Sequence, residues 1–202
     1  MVSFLGPPAR AVALDTHQLG TCSWALGSMR IHPGREWLVA LCSQAEARAK
    51  QLAPQSMVQV LWACARLSHV PEPGQAAALM DALQAGCVAG SYTARDVAQS
   101  LWALARFTSM CSGSTLAFTV DPGLVEACLR AFVSGNPAPA PAAASQGRGQ
   151  KVAVEDHSLA MVLWALTPLP HRTALQQPGL RSALLAVLAR ALPNASIHDT
   201  AP

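Results

Sequence analysis

The chain has 202 residues and a formal net charge of +3, with 51% of residues hydrophobic, 12% charged and 5% aromatic. That length is enough for one or two domains with a sizeable core, and a charged fraction well under the roughly 25% of typical domains gives no compositional sign of a nucleic-acid binder. Apolar runs such as 159–166 fall well short of the ~20 residues a membrane span needs, so no membrane partner is expected.

Residues 1–15, MVSFLGPPARAVALD, have neither the apolar core of a signal peptide nor the Arg/Ser-rich amphipathic pattern of a transit peptide. They lead into the phrase SWALGSM (23–29), which returns as LWACARL (61–67), LWALARF (101–107) and LWALTPL (163–169). Trp24, Trp62 and Trp102 are 38 and 40 residues apart, a period that indicates an array of stacked supersecondary units. Around Trp62 the apolar residues Met57, Val60, Leu61, Cys64 and Leu67 share one helical face. Ser56, Asp96 and Ser158 each lie six residues before their Trp, where a polar side chain suits a helix start.

Pro-Gly at 33–34, 73–74, 122–123 and 178–179 precedes the other helix of each unit, predicted over 35–50, 75–86, 124–135 and 180–192. Gly86 and Gly135 are placed to end two of these. The distance from Pro33 to Trp62, and from Pro73 to Trp102, is 29 residues, whereas Pro122 to Trp164 spans 42. The 13 extra residues fall in NPAPAPAAASQGRGQ (136–150), expected to be a disordered loop. The stretch 108–120 is expected to lengthen the turn between two units.

Two antiparallel helices per ~38–40 residues predict an all-α fold, an α-solenoid. Its repeats run approximately 1–29 (partial), 33–69, 73–107, 122–169 with the insert, and 178–202 (partial). Residues 196–202 resemble the lead-in 93–99, so both ends are expected to fall inside a repeat of a longer array.

The six cysteines are 17–24 residues apart with no CxxC or Cys/His cluster, so no metal site is expected and a reduced compartment is. No GxSxG, HExxH, P-loop or paired-carboxylate pattern occurs, and neither catalysis nor a cofactor is expected. His17 and His157 occupy a position seven residues before Trp that Gln55 and Arg95 fill in the other copies. That is one polar position per repeat, and residues a repeat apart do not converge on a metal.

DVAQSLWALARF (96–107) resembles the helix of the octotricopeptide repeat, and HPGREWLVAL (32–41) resembles that family's other helix with its Pro…Glu-Trp-Leu element. The resemblance covers about residues 15–192 outside the insert. It is closest around Trp62 and Trp102, and more distant around Trp24, where Gly27 and Ser28 intervene, and Trp164, where Thr167-Pro168 follows. It implies a sequence-selective solenoid for single-stranded RNA, of a mostly algal family acting on chloroplast or mitochondrial transcripts in processing, stability, splicing or translation. That family is related to the FAST-kinase-like leucine-rich proteins, and many members end in a RAP domain, of which the chain shows no sign. Other proteins of a ribonucleoprotein complex are further partners that the resemblance implies.

The family's Asn, three residues before Trp, aligns with Thr21, Gln59, Gln99 and Met161. Gln59 and Gln99 suit hydrogen bonds to base edges, against the more ordinary role of a tie between adjacent repeats. Arg66 and Arg106, four residues after Trp, suit phosphates, or else complement the helix C-terminal dipole. Arg35, Arg95, Arg130 and Arg181 are further basic candidates or ordinary solvated residues. The tryptophans are a stacking platform or core. Ala follows all four, and a hydrophobic residue precedes three, so Trp24, Trp62, Trp102 and Trp164 are expected to form structural core, large packed beside small. The alternative to RNA binding is a protein-binding scaffold of the HEAT/armadillo sort, which the low charge favours.

Overall fold

The computed structural model describes residues 14–113, 118–135 and 156–191; the expected loop at 136–150 and the two chain ends lie outside them. The described residues are helical with no strand. The helices containing the repeated Trp are α1 (Thr16–Met29), α3 (Pro54–Arg66), α5 (Ala94–Cys111) and α7 (Asp156–Ala165). Between them come α2 (Arg35–Ala47), α4 (Pro73–Val88) and α6 (Pro122–Ser134), and after α7 follow α8 (Arg172–Leu175) and α9 (Pro178–Ala191). Each Trp helix packs mainly on the Trp helix of the next unit, α1 on α3, α3 on α5 and α5 on α7. The others form a second row, with α2 on α4, α4 on α6, and α6 on α8 and α9. The result is a two-layered, solenoid-like stack.

Local chemistry explains the boundaries. Asp15 caps α1, accepting from the Gln18 amide at 2.8 Å while the Gln18 side chain accepts from Asp15 N at 3.0 Å. Thr93 and Asp96 make the same reciprocal box on α5. Pro73, Pro122 and Pro178 are the first residues of their helices, where the missing N–H costs no hydrogen bond. The expected starts there were two residues late. Helices α1, α3 and α4 stop in one manner: Arg30, Ser68 and Gly90 turn to φ 54°, 55° and 69°. The amides of Ile31, His69 and Ser91 then reach back to the carbonyls of Leu26, Cys64 and Gly86, the Schellman arrangement.

Gly86 does not end its helix, as expected, but lies inside α4. A Cβ there would meet the Tyr92 ring at 2.4 Å, so the glycine makes room for the returning chain. Residues 108–111 continue α5 instead of loosening into a turn. Phe118 then comes back onto Phe107, ring centroids 5.3 Å apart. Gly135 does stand at the C-cap of α6. Asp96 completes the α5 cap, but Ser56 and Ser158 are buried.

A continuous core runs between the layers from Leu19 through Leu41, Leu61, Leu101, Phe107 and Phe132 to Val187. Two thiol pairs join helices within it, Cys42 with Cys64 at 3.6 Å and Cys87 with Cys128 at 3.7 Å. The contact with Cys42, and then burial, push the Cys64 thiol up; Cys87 and burial do the same to Cys128. Both are protonated at neutral pH and act as small core residues.

Candidate nucleic-acid interface

The inner Trp helices α3 and α5 are each wedged between two like neighbours and floored by the second layer, so on them one narrow stripe remains to face outward. In α3 every residue from Ser56 to Ala65 is buried except Gln59 and Trp62. In α5 every residue from Val97 to Ala105 is buried except Gln99 and Trp102. The stripe extends one turn either way, through Gln55 and Arg66 on α3 and through Arg95 and Arg106 on α5. These residues have the i, i+4, i+7, i+11 spacing of a single helical face. On α1 the equivalent stripe is His17, Thr21, Trp24 and Ser28; on α7, which ends at Ala165, it is His157, Met161 and Trp164.

Trp24 and Trp164 therefore lie outside the core, and Trp62 and Trp102 stand at its margin, Trp102 packed against it. Trp24 is 53% and Trp164 42% exposed, and Trp62 and Trp102 are half-buried. The residues beside them do the packing: Leu61 and Ala63, and Leu101 and Ala103, are buried. The buried tryptophan is Trp37 of the second layer, at 6%. Consecutive residues on a helix point ~100° apart, so a hydrophobic neighbour in sequence does not place Trp on the hydrophobic face.

Trp102 and Trp164 contact one another, and Trp62 contacts the preceding Trp helix. Trp102 and Trp164 have centroids 6.3 Å apart and planes tilted by 35°. The Arg66 guanidinium lies over the Trp62 ring, 5.8 Å from its centroid, within cation–π range. A Cβ at Gly27 would come within 2.8 Å of Trp62 Cζ3, so the ring rests on α1 where a glycine leaves room.

Gln59 also reaches that helix: a Cβ at Gly20 would lie 2.6 Å from its Oε1. The amide thus seats against the neighbouring repeat, the tie weighed beside base recognition. Gln99 occupies the same register on α5, half-buried.

The structure brings Gln59 and Arg66, and Arg95, Gln99 and Arg106, onto one face of the Trp layer. Arg35 opens α2, Arg130 lies in α6 and Arg181 in α9, all in the other layer. Arg130 pairs with Glu126 at 3.0 Å and also donates to the Gln177 side chain. Gln177, and then Arg130, hold the Glu126 carboxyl below its usual range.

No Asp or Glu occupies the stripe on α1, α3, α5 or α7. Asp15 and Asp96 sit at helix starts, engaged in caps, and Glu36, Glu46, Asp81 and Glu126 belong to second-layer helices. No protein-family model, curated protein or solved structure matches the chain. Among the described residues no group of three His, Cys, Asp or Glu is placed to hold a metal, and no helix is long and apolar enough to cross a membrane.

A different surface lies at the last described unit. Leu163, Leu166, Leu175, Leu184, Leu185 and Leu188 line an open groove of about 530 Å³ between α7, α8 and α9. Leu163 and Leu185 are exposed there.

Proposed function

We propose that the chain binds single-stranded RNA along the outer face of its Trp helices, through contacts spread over the repeats and with no chemical step of its own. The supporting observation is the shared register of Gln59, Trp62 and Arg66 with Gln99, Trp102 and Arg106, on a stripe that carries no carboxylate. Amides serve base edges, and arginine serves phosphate better than lysine because its planar fork bonds in two places. The octotricopeptide-like motifs favour organellar transcripts, in the chloroplast or mitochondrion, and a role in RNA processing, stability or translation.

The apolar groove between α7 and α9 favours a second reading, a helical scaffold that docks a protein. Salt separates the two. For a single strand, log affinity falls with log salt with a slope of about −0.7 per phosphate neutralised, so Arg66, Arg95 and Arg106 together give roughly −2. Fluorescence anisotropy with a labelled single-stranded RNA, at several salt concentrations, should show that slope flatten when all three are changed to Ala. Salt-independent binding, or none, would reject the RNA reading.

A further inference from the structure

A buried Trp needs no further explanation, but an outward Trp at the same position in four successive units does. Exposed large aromatics that recur in register are informative where an isolated one is not. Trp24, Trp62, Trp102 and Trp164 follow the stack direction, one per Trp helix, and the last two are near neighbours at 6.3 Å. Arg66 lies against Trp62, and Arg106 follows Trp102 at the same interval. An aromatic row, arginines along one side and no carboxylate within it: these are the parts of a sequence-tolerant single-strand groove, where bases stack on rings while cations meet the backbone.

We propose that these four indoles form a base-stacking platform, with a single-stranded RNA lying across the Trp helices and its bases against the outward indole faces. This rests on the RNA-binding reading and assigns it a mechanism. Affinity comes chiefly from stacking, with the stripe amides adding base-edge contacts. The inner side of Trp62 meets α1 at Gly27, so the indole also covers the seam between repeats. A test must therefore keep the seam covered while removing the π face, which Leu does.

The decisive experiment titrates the full chain with a 15-nucleotide oligouridylate and with an abasic ribose-phosphate oligomer of equal length, following intrinsic Trp fluorescence. The uridine oligomer should quench much of the emission and the abasic one should not, while buried Trp37 keeps a residual unquenched signal. Trp62→Leu with Trp102→Leu should weaken oligouridylate binding by roughly tenfold per indole, leaving the salt slope and the melting temperature nearly unchanged. Trp24→Leu with Trp164→Leu, at the two most exposed positions, should weaken binding likewise; this pair decides the matter if the central pair fails to fold. Unaltered affinity in folded variants, or equal quenching by the abasic oligomer, overturns the stacking platform and leaves RNA binding standing. Failure of the unmodified chain to bind any RNA overturns both.

Discussion

Leu101 and Trp102 are adjacent in the chain and point ~100° apart around α5. Leu101 is fully buried between the layers, whereas Trp102 lies half-buried on the outer stripe. Removing Leu101 leaves a cavity that the flanking helices cannot collapse, so Leu101→Ala should cost about 2–5 kcal/mol. Trp24→Ala, at a position already 53% exposed, should cost no more than about 1 kcal/mol, although it removes more atoms. Chemical denaturation of the two variants checks the order, and a larger loss for Trp24→Ala would restore the indole to the core. The sequence did contain the answer: Trp62 shares a face with Gln55, Gln59 and Arg66, and not with Met57, Leu61 and Cys64. Its immediate neighbours are hydrophobic, but the residues that share its face, three and four positions away, are polar.

At the level of elements, helices of ten or more residues were legible because periodicity is joined by Pro at the start of α3, α4, α6 and α9 and by polar caps at α1 and α5. What escaped was α8, four residues between Pro170 and Pro178, too short to show an apolar period. The role of Gly86 also escaped, because it depends on where Tyr92 returns, a tertiary fact. The caps permit a direct test. Thr93 accepts from Asp96 N at 3.2 Å and its own amide donates to the Asp96 carboxylate at 3.0 Å. Thr93→Ala removes one half of that box and should cost about 1 kcal/mol, read as a lower melting temperature. An unchanged melting temperature would mean that the tertiary contacts of α5 alone set its start.

Across the whole molecule, alternation of Trp and Pro-Gly helices made the solenoid class and its order readable, because each helix has an apolar face that only a neighbour can cover. Which residues hold adjacent units together was not readable, since that depends on the closeness of α1 and α3. Gly20 and Gly27 set it, about two turns apart on the side of α1 that α3 presses. At Gly20 a Cβ would fall 2.7 Å from Ser56 Cα, and backbone cannot swing aside as a side chain can. Ala normally gains ~1 kcal/mol over Gly in a helix, but overpacking here costs about 1–3 kcal/mol, so Gly20→Ala should be net destabilising. At Gly179 nothing lies within 4 Å of the added Cβ, and the same change should stabilise by several tenths of a kcal/mol. Because units touch only their neighbours, the Gly20→Ala damage should be local. Amide exchange should quicken in α1 and the facing part of α3, while α5 and α6 keep their protection. Uniform acceleration along the chain would show instead that the stack opens as one cooperative body, each seam supporting all the others.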